Sequence, residues 1–268
     1  MPSVFRSIEI SDPSLETEGL RHVTVKSAAM RRRADVTLWV PDGSTGPLPL
    51  VILLHGVYGS HWAWAWKGGA HRTAAALVES GQISPMVLAM PSDGLWGDGS
   101  GYVKHGSGED YENWIMEEVP AAAAEATAGL TSGAPLFLSG LSMGGYGALR
   151  LGAKHGPRVA GVSAHSSATH LDEMDAITDE DLSLCGVDRA GCGVFEMMKL
   201  HRATLPPVRF DCGTGDVLLP QNRALNEALS AEGIPHHYEE FPGAHDWAYW
   251  RTHLADSLRF FARIPARV

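Results

Sequence analysis

A serine hydroxyl becomes a nucleophile only when an imidazole can take its proton and an acid holds that imidazole in place. One stretch of this chain has the spacing to start such chemistry. Gly140-Leu141-Ser142-Met143-Gly144 is its single Gly-x-Ser-x-Gly. A nucleophile at the top of a strand must turn sharply into a cleft, and glycines two residues either side let strand and helix approach closely enough. The context fits. Leu136-Phe137-Leu138-Ser139 reads as a strand just before, and Gly144-Gly145-Tyr146-Gly147 opens a helix just after. The helix N-terminus places its positive dipole end under the hydroxyl.

Of the 13 histidines, His245 is the expected base: in Phe241-Pro242-Gly243-Ala244-His245-Asp246-Trp247 it follows a strand and precedes a C-terminal helix. His236 and His237 fall before or within that strand, and His253 falls inside the helix, on its expected surface. The acid belongs at the end of the preceding strand. There Phe210-Asp211-Cys212-Gly213-Thr214-Gly215-Asp216 offers two aspartates. Asp211 lies within the strand, where a strand-end or hydrogen-bonding role suits it. Asp216 follows a glycine-rich bend into the loop, the better position. Asp246 adjoins the base and reads as a loop or N-cap residue.

Acyl transfer also needs donors aimed at the oxyanion. The amide of Met143, next after the nucleophile, is one. The second is expected in His55-Gly56-Val57-Tyr58-Gly59, with the Val57 amide preferred and that of Tyr58 the near alternative. Tyr58, Trp62 and Trp96 sit on loops at the carboxyl ends of strands and are expected to wall a substrate pocket. Trp64 and Trp66 are expected in the core.

These residues need a scaffold. Partial alternation at 20–27 and 34–40 predicts an antiparallel hairpin joined at the Arg31-Arg32-Arg33 turn. Apolar runs predict strands at 50–54, 86–90 and 136–139, and further strands are expected at 159–164, 208–212 and 237–241. Helices are expected at 69–80, 111–129, 143–155, 221–232 and 247–262. Strands alternating with helices imply an α/β class with a mainly parallel sheet covered on both faces. Residues 166–205 interrupt that rhythm before the strand carrying the acid. They are acidic and partly helical, and read either as a surface excursion or as a lid over the site. No linker or repeat divides the 268 residues, so a single domain, 1–268, is expected.

Lys and Arg number 21 against 31 Asp and Glu, a formal net charge of −10. That excludes a nucleic-acid phosphate backbone as partner. No apolar stretch reaches the length of a transmembrane helix, so no membrane partner is expected. The first ten residues lack the charged-then-apolar layout of a secretory signal, and a cytoplasmic location is expected. Three cysteines do not make a disulfide framework. Cys185 and Cys192 are close enough to pair if exported, and Cys212 reads as a small packed hydrophobe. No His-x-x-x-His spacing appears, so neither metal nor cofactor is expected.

Taken together, Leu53-Leu54-His55-Gly56, Met90-Pro91-Ser92-Asp93-Gly94, 114–120, 140–147, 213–216 and Pro242-Gly243-Ala244-His245 resemble the Putative esterase family of α/β-hydrolases. That group includes esterase D (S-formylglutathione hydrolase), feruloyl and acetyl-xylan esterases and the mycobacterial mycolyltransferases. The resemblance covers nearly the whole chain. It implies an α/β-hydrolase fold, an acid at Asp216 and a serine carboxylic ester hydrolase working on a small-molecule ester through an acyl-enzyme. The aromatic loops and the lack of a long apolar channel suggest short acyl groups. Alternatives are acyl transfer to an alcohol or sugar, a thioesterase of the S-formylglutathione hydrolase type, or a degenerate hydrolase that only binds.

Overall fold

Five consecutive apolar residues define the middle of the sheet. β4 (Leu50–Leu54) is buried along its whole length. Leu50, Ile52 and Leu54 join one core cluster, Val51 and Leu53 the other. That is the period of two a strand dictates, and burial on both faces is why the run is apolar throughout. In the computed structural model, which describes residues 3–41, 43, 47–95, 97–131, 133–174, 177–179 and 191–265, β4 is flanked on both sides. The remaining strands are β1 (Ile8–Ile10), β2 (Leu20–Lys26), β3 (Arg33–Trp39), β5 (Val87–Pro91), β6 (Leu136–Leu141), β7 (Gly161–His165), β8 (Val208–Gly213) and β9 (His237–Phe241). They order as β1-β2-β3-β5-β4-β6-β7-β8-β9. From β5 through β9 every pairing is parallel. The pairs β1/β2, β2/β3 and β3/β5 are antiparallel.

Helices cover both faces. α1 (Ala63–Trp66), α2 (Ala70–Glu79) and α8 (Trp247–Ala262) pack on one side, supplying Trp64, Ala74, Leu77, Leu254 and Phe261 to its core. α3 (Tyr111–Asn113), α4 (Val119–Ala126), α5 (Met143–Lys154), α6 (Val194–Leu200) and α7 (Leu219–Ala231) fill the other. No helix among the described residues is long and apolar enough to cross a membrane.

The pattern at 111–129 predicts one helix, and the structure divides it. A π-helical turn, Trp114–Glu118, separates α3 from α4. Pro120 has no N–H to return to the carbonyl of Met116, and that carbonyl instead accepts from the Arg158 guanidinium at 3.0 Å. β1, α1 and α6 are too short to register as patterns. Three strands run further than their apolar residues: β6 through Gly140 to Leu141, β7 to His165 and β8 to Gly213. A parallel ladder pairs backbone whatever the side chain, and these extra residues carry the strands up to the rim where the candidate chemistry lies.

Candidate active site

Ser142 stands between β6 and α5 at φ 54°, ψ −121°, a conformation sparsely populated by residues with a side chain. Two glycines make the turn sterically feasible. A Cβ on Gly140 would lie 2.2 Å from the Gly144 carbonyl oxygen, and one on Gly144 would lie 2.2 Å from that of Leu54. The turn is held from the neighbouring strand, because the Ser142 amide donates to the His165 carbonyl at 3.0 Å. The helix of twelve residues that follows points its N-terminus at the serine.

The structure brings Ser142, His245 and Asp216 into one hydrogen-bonded line. His245 Nδ1 lies 3.0 Å from each carboxylate oxygen of Asp216, and Nε2 lies 3.1 Å from Ser142 Oγ. A carboxylate only accepts, so Nδ1 carries the proton and Nε2 is left to accept from the serine. Burial works to raise the Asp216 carboxyl. Hydrogen bonds from His245, the Leu218 amide and the Ser166 hydroxyl outweigh it and hold the group below its ordinary range, ionised. Trp250 meets the His245 ring edge-on, with centroids 5.0 Å apart.

Asp211 takes a different place. It is completely buried and accepts from His165 Nδ1 (2.9 Å), the Tyr249 hydroxyl (2.7 Å) and the Arg209 guanidinium. It does not touch His245. Asp246 caps α8, accepting from the Tyr249 amide at 3.0 Å. His253 departs from its expected surface position: it stacks on Phe241 at 4.3 Å and lies half-buried.

The loop after β4 is braced by the Met90–Gly94 segment. His55 donates from Nδ1 to the Gly56 carbonyl at 2.7 Å, so Nε2 accepts from the Asp93 amide at 3.3 Å. Tyr102 donates to the His55 carbonyl at 3.0 Å, and Trp114 donates to that of Ser92 at 2.8 Å. Within this loop the two candidate donors separate. The Tyr58 amide is consumed by the Asp98 carbonyl at 2.7 Å. The amides of Val57 and Met143 donate to no acceptor among the described residues. Val57 and Ser142 line the same cavity.

That cavity is about 540 Å³. Tyr58, Trp62, Trp247 and Trp250 form its aromatic wall, with Leu141, Val217 and Leu218 beside them. Tyr58 and Trp62 thus line the same cavity as Ser142. Trp96 lies outside the described residues. Trp64 is buried as expected, donating to the Leu54 carbonyl at 2.9 Å, but Trp66 is exposed, because α1 ends there and turns it outward. Residues 166–205 contribute Glu173 and Ile177 to the cavity, and the Tyr58 hydroxyl donates to the Ile177 carbonyl. Other parts of that segment pack into the core through Leu171, Met174, Val194 and Met198. Residues 175–176 and 180–190, Cys185 among them, lie outside the described residues. Ser166, Trp247 and Trp250 carry no motif and are not visible to a reading of spacing.

Residues 27–184 and 209–261 match the Putative esterase family. An acetyl esterase from Caldicellulosiruptor saccharolyticus is 29% identical over 244 residues, covering 83% of this chain and 86% of that protein. Among solved structures, a ferulic acid esterase superposes with a TM-score of 0.79 at 23% identity, covering 97% of this chain and 100% of its own. An S-formylglutathione hydrolase from Staphylococcus aureus superposes at 0.75 with 19% identity, covering 95% and 100%. These likenesses carry the α/β-hydrolase fold.

Proposed function

The chain belongs to the Putative esterase family and is an esterase, and from that premise we propose that it hydrolyses small carboxylic esters of short acyl chain through an acyl-enzyme on Ser142. One observation carries the reading: a serine in a strained turn, 3.1 Å from a histidine that an ionised aspartate holds at 3.0 Å, opens onto a cavity of about 540 Å³. That volume suits a small ester.

In this reading Ser142 Oγ attacks the ester carbonyl as its proton passes to His245 Nε2. Asp216 keeps the imidazole oriented and stabilises the imidazolium. The amides of Val57 and Met143 receive the developing oxyanion, one such donor contributing about 3–4 kcal/mol. The imidazolium returns its proton to the departing alcohol, leaving the acyl group on Ser142. Water then surrenders a proton to His245 Nε2, attacks the acyl carbon and releases the acid, restoring Ser142. Every step uses groups of this chain and needs no metal or cofactor.

The test is turnover of p-nitrophenyl esters, acetate through decanoate, by the purified protein and by Ser142→Ala. The expected result is activity greatest at short chains and reduced at least ~10³-fold in the variant. A protein that turns over no ester, or a variant that keeps the activity, overturns the proposal.

A further inference from the structure

Proton delivery fixes where the leaving alcohol must lie. His245 Nε2 hands its proton to that alcohol in the reading above, so the alcohol part of the ester starts on the His245 side of the cavity. The wall there is continuous. Trp250 meets the His245 ring edge-on at 5.0 Å, and Trp247 meets Trp250 edge-on at 5.3 Å. Beyond them stands a cation: Lys67 Nζ lies over the Trp247 ring, 5.6 Å from its centroid. Lys67 itself lines the cavity that holds Ser142. A glycine allows this close approach. A Cβ on Gly68 would lie 2.9 Å from the Trp247 ring and 2.6 Å from the Trp64 carbonyl oxygen. The end of α1 is also tied to α8, since the Arg251 guanidinium donates to the Lys67 carbonyl at 3.0 Å.

The charges around this point are not alike. Glu173 and Asp246 line the same cavity, but both are engaged. Glu173 accepts from the Thr169 amide at 2.8 Å and its hydroxyl at 2.7 Å, and Asp246 caps α8. A smaller recess of about 350 Å³ shares Lys67 and is lined also by Arg72 and Arg251. Arg72 is taken up by Glu18, at 2.8 and 2.9 Å. Lys67 and Arg251 are exposed and make no ion pair among the described residues. An indole face attracts a cation without neutralising it, so Lys67 is held in place with its charge available to an anion. We infer that Lys67, with Arg251 beside it, selects esters whose alcohol part carries an anionic group, a carboxylate in the simplest case. This deepens the esterase reading above and rests on it. A contact remote from the reacting carbonyl acts on ground state and transition state alike, so it lowers KM and leaves kcat nearly untouched.

The experiment uses two esters of one acyl group: p-acetoxybenzoate, whose leaving phenol carries a carboxylate, and the neutral p-acetoxybenzamide. The quantity read is the ratio of kcat/KM for the anionic ester to that for the neutral one. Leaving-group reactivity and any general loss of activity cancel when that ratio is compared between variants. Lys67→Met keeps an apolar stem over Trp247 and removes the charge. The ratio is expected to fall about 5-fold in Lys67→Met, as suits an exposed ion pair. Lys67→Glu adds repulsion and should lower it about 10-fold or more. The change should lie in KM for p-acetoxybenzoate, and Arg251→Gln should lower the ratio by less. Raising the salt to about 0.5 M should lower the wild-type ratio but not that of Lys67→Met. A ratio that stays at the wild-type value in both Lys67 variants overturns the inference, since Lys67 then only covers Trp247. A loss seen only with mono-p-nitrophenyl succinate, whose carboxylate rides on the acyl part, overturns it too. Failure of the underlying reading looks different: the wild type turns over no ester, or Ser142→Ala keeps its activity.

Discussion

Two Ser–His–Asp arrays lie side by side in this molecule. In the outer one, His245 stands 3.1 Å from Ser142 and 3.0 Å from Asp216. In the inner one, His165 stands 2.8 Å from Ser257 and 2.9 Å from Asp211. Hydrogen-bond lengths do not distinguish them. The His245 side chain keeps 26% of its surface exposed toward the cavity, whereas His165 has none. Ser142 sits in a strained turn at a helix N-terminus, beside the amides of Val57 and Met143, which donate to no acceptor among the described residues. Ser257 lies inside α8, its hydroxyl shared with Ser163 at 2.6 Å. The inner aspartate faces not only a histidine but also Arg209 and Tyr249. The same three residue types thus make a candidate nucleophile in one place and a buried brace in the other. Access, backbone geometry and candidate oxyanion donors separate them, not the list of groups.

Adjacent residues join the arrays. His165 at the end of β7 holds Asp211, and Ser166 follows it; on α8, Tyr249 reaches Asp211, and its neighbour Trp250 reaches both Ser166 and the His245 ring. The brace therefore adjoins the proposed catalytic histidine through Trp250, and substitutions should sort cleanly between the two.

The sharpest separation is between Ser142→Ala and Ser257→Ala. The first should cost at least ~10³-fold in ester turnover with an unchanged melting temperature. The second should keep turnover within a few-fold and cost about 1 kcal/mol of stability. Reversal of that pattern would mean that the inner array does the chemistry.

Asp211→Asn should show the next largest effect. It removes the charge that Arg209 and His165 share in the core, and breaking such a buried pair costs about 3–5 kcal/mol. For a domain of this size that lowers the melting temperature by roughly 6–20 °C, readable by calorimetry. A variant that melts like the wild type but has lost activity would transfer the acid's role from Asp216 to Asp211.

Acid titration gives a smaller effect with a definite sign. Burial opposes ionisation of Asp211, but the neighbouring His165 charge and hydrogen bond, with Arg209 and Tyr249, hold its carboxyl at about 2. A depressed pKa contributes stability that is fully present above the unfolded value near 4 and is lost as pH falls from there toward about 2. That contribution is on the order of 2 kcal/mol. Urea melts from pH 6 to 2 should show a loss in the wild type that is shallower in Asp211→Asn. Equal slopes would show that Asp211 is not held down.

How much of this was legible depended on how local each signal is. The strand at 50–54 and the helix at 247–262 were readable to the residue, because burial on a fixed period writes itself into consecutive positions. The serine elbow was readable for the same reason: its glycines are demanded by contacts within nine residues of chain or with the adjoining strand. The placement of His245 and Asp216 followed from loop positions after strands. The inner array was not readable. Its members come from β7, β8 and α8 with sequence separations of 46 and 92, and no motif binds them. Trp250 and Ser166 are hidden likewise, since their hydrogen bond spans 84 residues. Trp66 misled because an apolar ring predicts burial, whereas a four-residue helix chose which of its neighbours would face in.

The smallest effect is a change of sign. Ser142 holds φ 54°, ψ −121°, and such conformations cost a side-chain-bearing residue about 1–3 kcal/mol. Glycine adopts them freely but loses about 0.5–1 kcal/mol more on folding. Ser142→Gly should therefore stabilise the fold by about 1 kcal/mol while abolishing turnover. Ser257 sits in the interior of a sixteen-residue helix, where glycine has no strain to relieve. There the same substitution should cost about 1 kcal/mol in helix propensity and about as much again in the lost hydroxyl. Paired denaturant melts would read both. If Ser142→Gly also destabilises, the turn is relaxed in solution, and the strain separating the outer serine from the inner one is not stored there.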